Sequence, residues 1–133
     1  MDYTKRRNLN RGYMMLEVWQ KAIALYNLVW GIMIDAKIDF KLRAQAADAA
    51  QSVASNIAEG YSRRSINEYM QHLYVSLGSL SEVLTRLISF RETGQITPEQ
   101  FEQVDILHYE VENKKSEGTW IDRISEESPE YEV

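Results

Sequence analysis

The chain has 133 residues, is 44% hydrophobic and 26% charged, and carries a net charge of −5 with no cysteine. That length and composition suit one globular domain with a real core, and the missing cysteine excludes disulfides, thiolate metal sites and a cysteine nucleophile while fitting a reducing, cytoplasmic setting. Residues 1–75 hold ten Lys/Arg against seven Asp/Glu and residues 76–133 five against thirteen, so a uniformly basic nucleic-acid binder is excluded and only a local basic patch stays open.

Residues 1–13 are polar and basic, with Lys5, Arg6, Arg7 and Arg11 close together, and read as a flexible arm. The basic start is not followed by the apolar run of a signal peptide, because Glu17, Gln20 and Lys21 interrupt it. No stretch reaches 18 uncharged apolar residues, so no transmembrane span is expected.

From Met14 to Asp35 the spacing predicts a helix with two apolar stripes. Leu16, Trp19, Ile23, Tyr26, Trp30 and Met33 form one; Val18, Ala22, Leu25, Val29 and Ile32 form the other. A peripheral helix in a monomer needs only one such stripe. The excess predicts deep burial or a contact between subunits.

The second helix is expected over Phe40 to Glu59, capped by Asp39 and carrying a core stripe of Leu42, Ala46, Ala49, Val53 and Ile57. Seven alanines between Ala44 and Ala58 make it strongly helical and allow close approach of neighbours. Gly60 reads as a left-handed stop.

Ser65 and Glu68 form a capping-box pattern that starts a third helix, expected to run to Glu92 on Met70, Leu73, Leu77, Leu80, Leu84 and Leu87. Gly78, Ser79 and Ser81 imply another close helix approach, and Gly94 ends the helix. Thr97-Pro98-Glu99-Gln100 starts a fourth, expected to run to Ser125 across a weak stretch at 113–119. Residues 126–133 hold four glutamates and a proline and read as an acidic tail. The expected architecture is all-α: an antiparallel up-down-up-down four-helix bundle over residues 14–125.

Chemistry-bearing residues are few. A di-iron bundle needs paired Glu-x-x-His motifs, but His72 and His108 are the only histidines, so no metal and no cofactor are expected. Both read as half-exposed helical side chains. Glu59 and Glu82 lie beside apolar faces. As an acid pair they would define a small enzyme; as structural groups they would join Asn56 and Ser79 in a mostly buried polar cluster between helices two and three. Lys5, Arg6, Arg7, Arg11, Arg63 and Arg64 are the candidate phosphate contacts, and the bundle topology brings both groups to one end.

The segment SVASNIAEGYSRRSINEYMQHLYVSLGSLSEVLTRL carries a recognisable pattern: Ser52 with Val53, Asn56 to Gly60, Arg63 with Arg64, then Gly78 to Glu82. It resembles the four-helix-bundle family encoded in intervening sequences of bacterial 23S ribosomal RNA genes. The Leu16 to Ala22 stretch is similar to that family's first-helix opening. Ala54 stands where the family often has proline, and the C-terminus is more acidic than the family pattern.

The resemblance implies a protein without catalytic activity that assembles as a homo-oligomer, a ring-like homopentamer above all. A related branch is the accessory variability protein of diversity-generating retroelements, and Thr119 to Arg123 are similar to it. That kinship implies RNA or DNA and a reverse transcriptase as partners. The expected function is therefore a non-enzymatic, homo-oligomeric bundle accessory to nucleic-acid transactions. The alternatives are an interaction scaffold without nucleic acid, or a small enzyme using Glu59 and Glu82.

Overall fold

A computed structural model describes residues 12–113. Its regular structure is helical: a 3-10 turn, Gly12–Met15, then α1 (Glu17–Asp35), α2 (Phe40–Ser62), α3 (Ile66–Glu92) and α4 (Pro98–Glu112). Each helix packs on the next in sequence, and α1 also meets α4, closing the ring of four. Ser79 meets Ser52 while Arg86 meets Gln45, so α2 and α3 run antiparallel. The fold is the expected all-α four-helix bundle.

The helix starts follow local chemistry. Asp39 Oδ2 accepts from the Lys41 amide at 3.1 Å. Thr97 and Gln100 make a complete capping box around Pro98. At Ser65 only half of the expected box forms: its Oγ accepts from Glu68 N at 3.4 Å, while the Glu68 carboxylate lies 3.7 Å from Arg63. Leu16, before α1, has no side chain to cap with. There the chain takes the tighter 3-10 turn, held by Gln20 Nε2 donating to Met14 O at 2.8 Å, so α1 starts at Glu17 rather than Met14.

Gly12 and Tyr13, assigned by sequence to the arm, belong to this turn. A Cβ on Gly12 would sit 2.7 Å from the Tyr61 ring, and the Tyr13 ring meets Trp19 edge-on at 5.4 Å. The start of α1 is thus tied to the end of α2. The expected continuation of the fourth helix to Ser125 and the acidic tail lie outside the described residues.

Both stripes of α1 were correctly read as apolar, but the core takes Ala22, Leu25, Val29 and Ile32 from one and only Trp19 and Met33 from the other. Trp30 is left half exposed. On α3, Leu73, Leu80 and Leu87 are fully buried, whereas Met70, Leu77 and Leu84 flank the core. Leu42 lies at the surface of α2, and the alanines at 46, 47, 49, 50 and 54 are buried. Lys21 Nζ donates to Glu110 Oε1 at 2.8 Å across α1 and α4.

Gly60 corrects the sequence reading most. It is helical and buried, and α2 continues two residues past it. A Cβ there would lie 2.6 Å from the His72 Cβ, so glycine is required by helix proximity. Arg64 takes the left-handed conformation instead, at φ 61°. Gly78 needs no close approach, since an added Cβ meets nothing within 4 Å.

The two glycines therefore respond oppositely to alanine. Gly60→Ala forces α2 and α3 apart and should destabilise by about 1–3 kcal/mol. Gly78→Ala removes a helix-interior glycine from open space and should stabilise by up to ~1 kcal/mol. Urea unfolding of the two variants checks both signs.

Candidate functional site

The α2–α3 face carries a hydrogen-bonded polar seam. On α2 the residues Ser52, Asn56 and Glu59 share one face by helical spacing. On α3 the facing residues are His72, Ser79 and Arg86. Antiparallel packing brings the two rows together. Ser52 is the hub: its Oγ accepts from Ser79 Oγ at 2.8 Å and from Asn56 Nδ2 at 3.0 Å. Asn56 Nδ2 also donates to Ser52 O at 2.9 Å.

With its amide nitrogen so engaged, Asn56 presents Oδ1 to His72 Nδ1 at 3.2 Å. A carboxamide oxygen only accepts, so His72 Nδ1 carries the proton. One layer deeper, buried Ser76 donates to Val53 O at 2.9 Å. The seam sets the register of α2 against α3.

The two glutamates do not join the cluster as expected. Glu59 accepts from Arg63 Nη2 at 2.8 Å and Glu82 from Arg86 Nε at 2.8 Å. Their side chains are 55% and 47% exposed. Each lies on the solvent side of its own helix, bonded one turn away, because the small residues Ser52 and Ser79 fill the interior of the seam. Arg86 also reaches Gln45 Oε1 at 3.1 Å. Ser79 faces Ser52 in the antiparallel pair, so Glu82 lies level with position 49, ten residues from Glu59 and roughly 15 Å away along the axis. That separation rules out a carboxylate pair acting on one bond.

Glu59 faces His72 Nε2 at 4.0 Å. The hydrogen bond from Arg63 holds its carboxyl below the usual value of 4.5, outweighing the opposing effect of burial, with lesser electrostatic contributions from His72 and Arg63. Arg63 is raised reciprocally, first by the bond to Glu59. Its charge is therefore shared between Glu59 and Glu68. Arg64 is exposed beside it. Lys5, Arg6, Arg7 and Arg11 lie outside the described residues.

His108 is not half exposed. It is buried between α3 and α4 and donates from Nε2 to Leu80 O at 2.8 Å; the carbonyl can only accept, which fixes that tautomer. Among the described residues no group of three His, Asp or Glu is placed to hold a metal ion, and no helix is long and apolar enough to cross a membrane.

Residues 14–116 match the sequence model of the family described as 23S rRNA-intervening sequence protein. The chain belongs to this family. No curated protein matches it. The family segment spans the whole polar seam and all four helices, and it excludes Lys5 to Arg11 and the acidic tail. What the match covers is therefore the scaffold and its α2–α3 register.

Sequence reasoning named Asn56 and Ser79 but missed Ser52, His72 and Arg86. The signal was available: Ser52, Asn56 and Glu59 at i, i+4 and i+7, and His72, Ser79 and Arg86 at successive steps of seven.

Ser52→Ala removes the acceptor shared by Asn56 and Ser79 and should cost ~1–3 kcal/mol, whereas Glu82→Gln, at an exposed pair, should cost under ~1 kcal/mol; chemical denaturation separates the two. Glu59 also gives a pH dependence. Its native value is depressed, so its pairing stabilises the fold above about pH 4.5 and is lost as pH falls through the native value. Between about pH 5 and about pH 3 the natural chain should lose more thermal stability than Glu59→Gln. Identical pH profiles would refute the pairing.

Proposed function

We propose that this protein is a non-catalytic, homo-oligomeric bundle whose outer surfaces carry its function. The observation behind this reading is the apolar surface that one chain leaves uncovered. Trp30 is 50% exposed, Phe40 74% and Tyr109 64%, with Ile34 and Ile106 also outside. Single exposed apolar residues are ordinary, but clusters of large ones mark contact surfaces. The stripe of α1 that contains Trp30 supplies part of this surface. The pentamer is the stoichiometry that the family resemblance implies.

A second reading, an accessory role with RNA or DNA, has its own support. Gly12 packs on Tyr61, two residues before Arg63. Gly12, the first described residue, therefore lies near the turn that carries Arg63 and Arg64. With Arg63 held by two glutamates, Arg64 is the freer contact. Repetition around a ring adds many weak phosphate contacts, giving sequence-tolerant, salt-sensitive binding. The likeness to the retroelement accessory protein extends this reading to a reverse transcriptase as partner.

Light scattering at micromolar concentration should give a mass well above the 15.5 kDa of one chain, near five times that value for the pentamer. A mass of one chain sinks the oligomer reading. For the nucleic-acid role, labelled single-stranded RNA or DNA should bind at about 50 mM salt and be released as salt rises. Arg64→Ala should weaken binding more than Arg63→Ala, and deleting residues 126–133 should strengthen it. No binding by either the full chain or the deletion leaves the interaction-scaffold role without nucleic acid.

A further inference from the structure

We infer that His72 is a proton-operated latch between α2 and α3: when its ring takes a second proton it captures the Glu59 carboxylate from Arg63, and Arg63 passes to Glu68. Side chains placed together at the α2–α3 turn carry this, independently of oligomeric state and of any nucleic acid.

The ring is held so that one nitrogen alone can change. Its Nδ1–H donates to Asn56 Oδ1 at 3.2 Å, and Asn56 is itself fixed by two bonds from Nδ2 to Ser52. Gly60 brings the α2 backbone against the His72 Cβ, where an added methyl would lie 2.6 Å away. Nε2 is left with a lone pair, and it faces Glu59 Oε2 at 4.0 Å. The His72 side chain is 22% exposed, so water can deliver a proton to it. Imidazole is the side chain whose charge change ordinarily falls between about pH 5 and about pH 8.

A neutral ring gives Glu59 nothing to accept at Nε2, and the carboxylate takes Arg63 instead, Nη2 donating to Oε2 at 2.8 Å. A proton on Nε2 reverses this. It makes Nε2 a charged donor aimed at the same oxygen. Closing the gap takes about 1 Å of side-chain movement, to the ~2.8 Å of a charge-assisted bond. Arg63 is the partner that can leave. Its side chain is half exposed, and a second acceptor is already near: Glu68 Oε1 lies 3.7 Å from Nη1. The exchange therefore trades one ion pair at the end of α2 for two that join α2 to α3.

The charged surroundings favour Glu59 as the acceptor. From α2 the ring meets Glu59 and Arg63. On α3, Glu68 stands four residues earlier on the same face, but its carboxylate is turned to Arg63. Tyr69, beside Gly60, and Tyr61, edge-on to Tyr69, bring phenols to the same turn. Glu59 keeps its charge as the ring titrates, because the bond from Arg63 holds its carboxyl below the ordinary value. His108 has a similar arrangement, Nε2 donating to Leu80 O and Nδ1 4.0 Å from Glu112. That acid lies one turn away on α4 itself, so a proton there adds no contact between helices. At the α2–α3 turn, Arg63 and Arg64 balance Glu59 and Glu68, and a proton on His72 turns a neutral group positive.

Side-chain NMR of the full-length chain, from about pH 8 down to about pH 5, tests the latch. The Arg63 guanidinium signals should move together with the His72 ring signals, at one midpoint. An Arg63 that stays still while His72 titrates overturns the exchange, and the natural chain alone decides this even if a variant fails to fold. In His72→Asn the side-chain amide can still donate to Asn56 but takes no proton, so the Arg63 response should vanish; a response that persists there overturns the role of His72. Glu59→Gln should also abolish it while His72 still titrates. Loss of the response in Glu68→Gln but not in Glu59→Gln makes Glu68 the acceptor and overturns the assignment to Glu59. Double-mutant cycles by urea unfolding add an energetic readout. The Glu59–His72 coupling should be about twofold or more in the unfolding constant near pH 5.5 and absent near pH 8. A coupling equal at both pH values overturns the latch.

Discussion

The close approach of α2 and α3 is the constraint on which the rest of the bundle depends. It is set where the chain has least side chain: Gly60 against His72 and Tyr69, and the buried alanines between 46 and 54. Interiors are close-packed, so one methyl at such a point has no room and the helices must shift. Once the two axes lie this near, there is space between them only for small polar side chains. Ser52, Ser76 and Ser79 occupy it, and each is satisfied by a short hydrogen bond. Larger polar groups, Glu59, Glu82, Arg63 and Arg86, are forced outward onto the flanks.

This division gives the seam its character. Inside, neutral hydroxyls and a carboxamide fix register without the desolvation cost of buried charge. Outside, ion pairs one turn apart screen the groove and add little stability. The two carboxylates are held apart along the seam, each matched by its own arginine. An arrangement of this kind holds helices in place.

Those surfaces are uneven. α1 and α4 share an ion pair, Lys21 with Glu110, and among the described residues α4 gives the core Phe101, Val104, His108 and Val111. His108 satisfies itself on the Leu80 carbonyl rather than on water. Large apolar residues left outside lie at the α1–α2 cleft and along α4, and also at Met15, Leu42, Tyr74 and Val75. Family membership spans all of this scaffold, whereas the basic residues before Gly12 lie beyond it.

Much of the fold was legible from residue pattern alone. Asp39 and Thr97-Pro98 announced two helix starts, Gly94 announced a stop, and the 3-4 spacing of apolar residues announced four helices, because capping and periodicity are local properties of a chain. Local rules erred where a residue's role is set by a neighbour distant in sequence. Gly60 has the chemistry of a helix stop, and only the proximity of His72 makes it a packing residue inside the helix. Glu59 and Glu82 looked like partners because both flank apolar faces, but the distance between them is fixed by helix register, which periodicity does not contain. The two stripes of α1 were equal in sequence; which one enters the core was decided by where α2 and α4 lie against it. The sequence by itself determined the helices and their amphipathic faces. The tertiary structure decided which faces meet, which polar groups find partners across 16 or 27 residues of chain, and which apolar side chains remain at the surface, since each of these depends on distances that arise only when the helices pack.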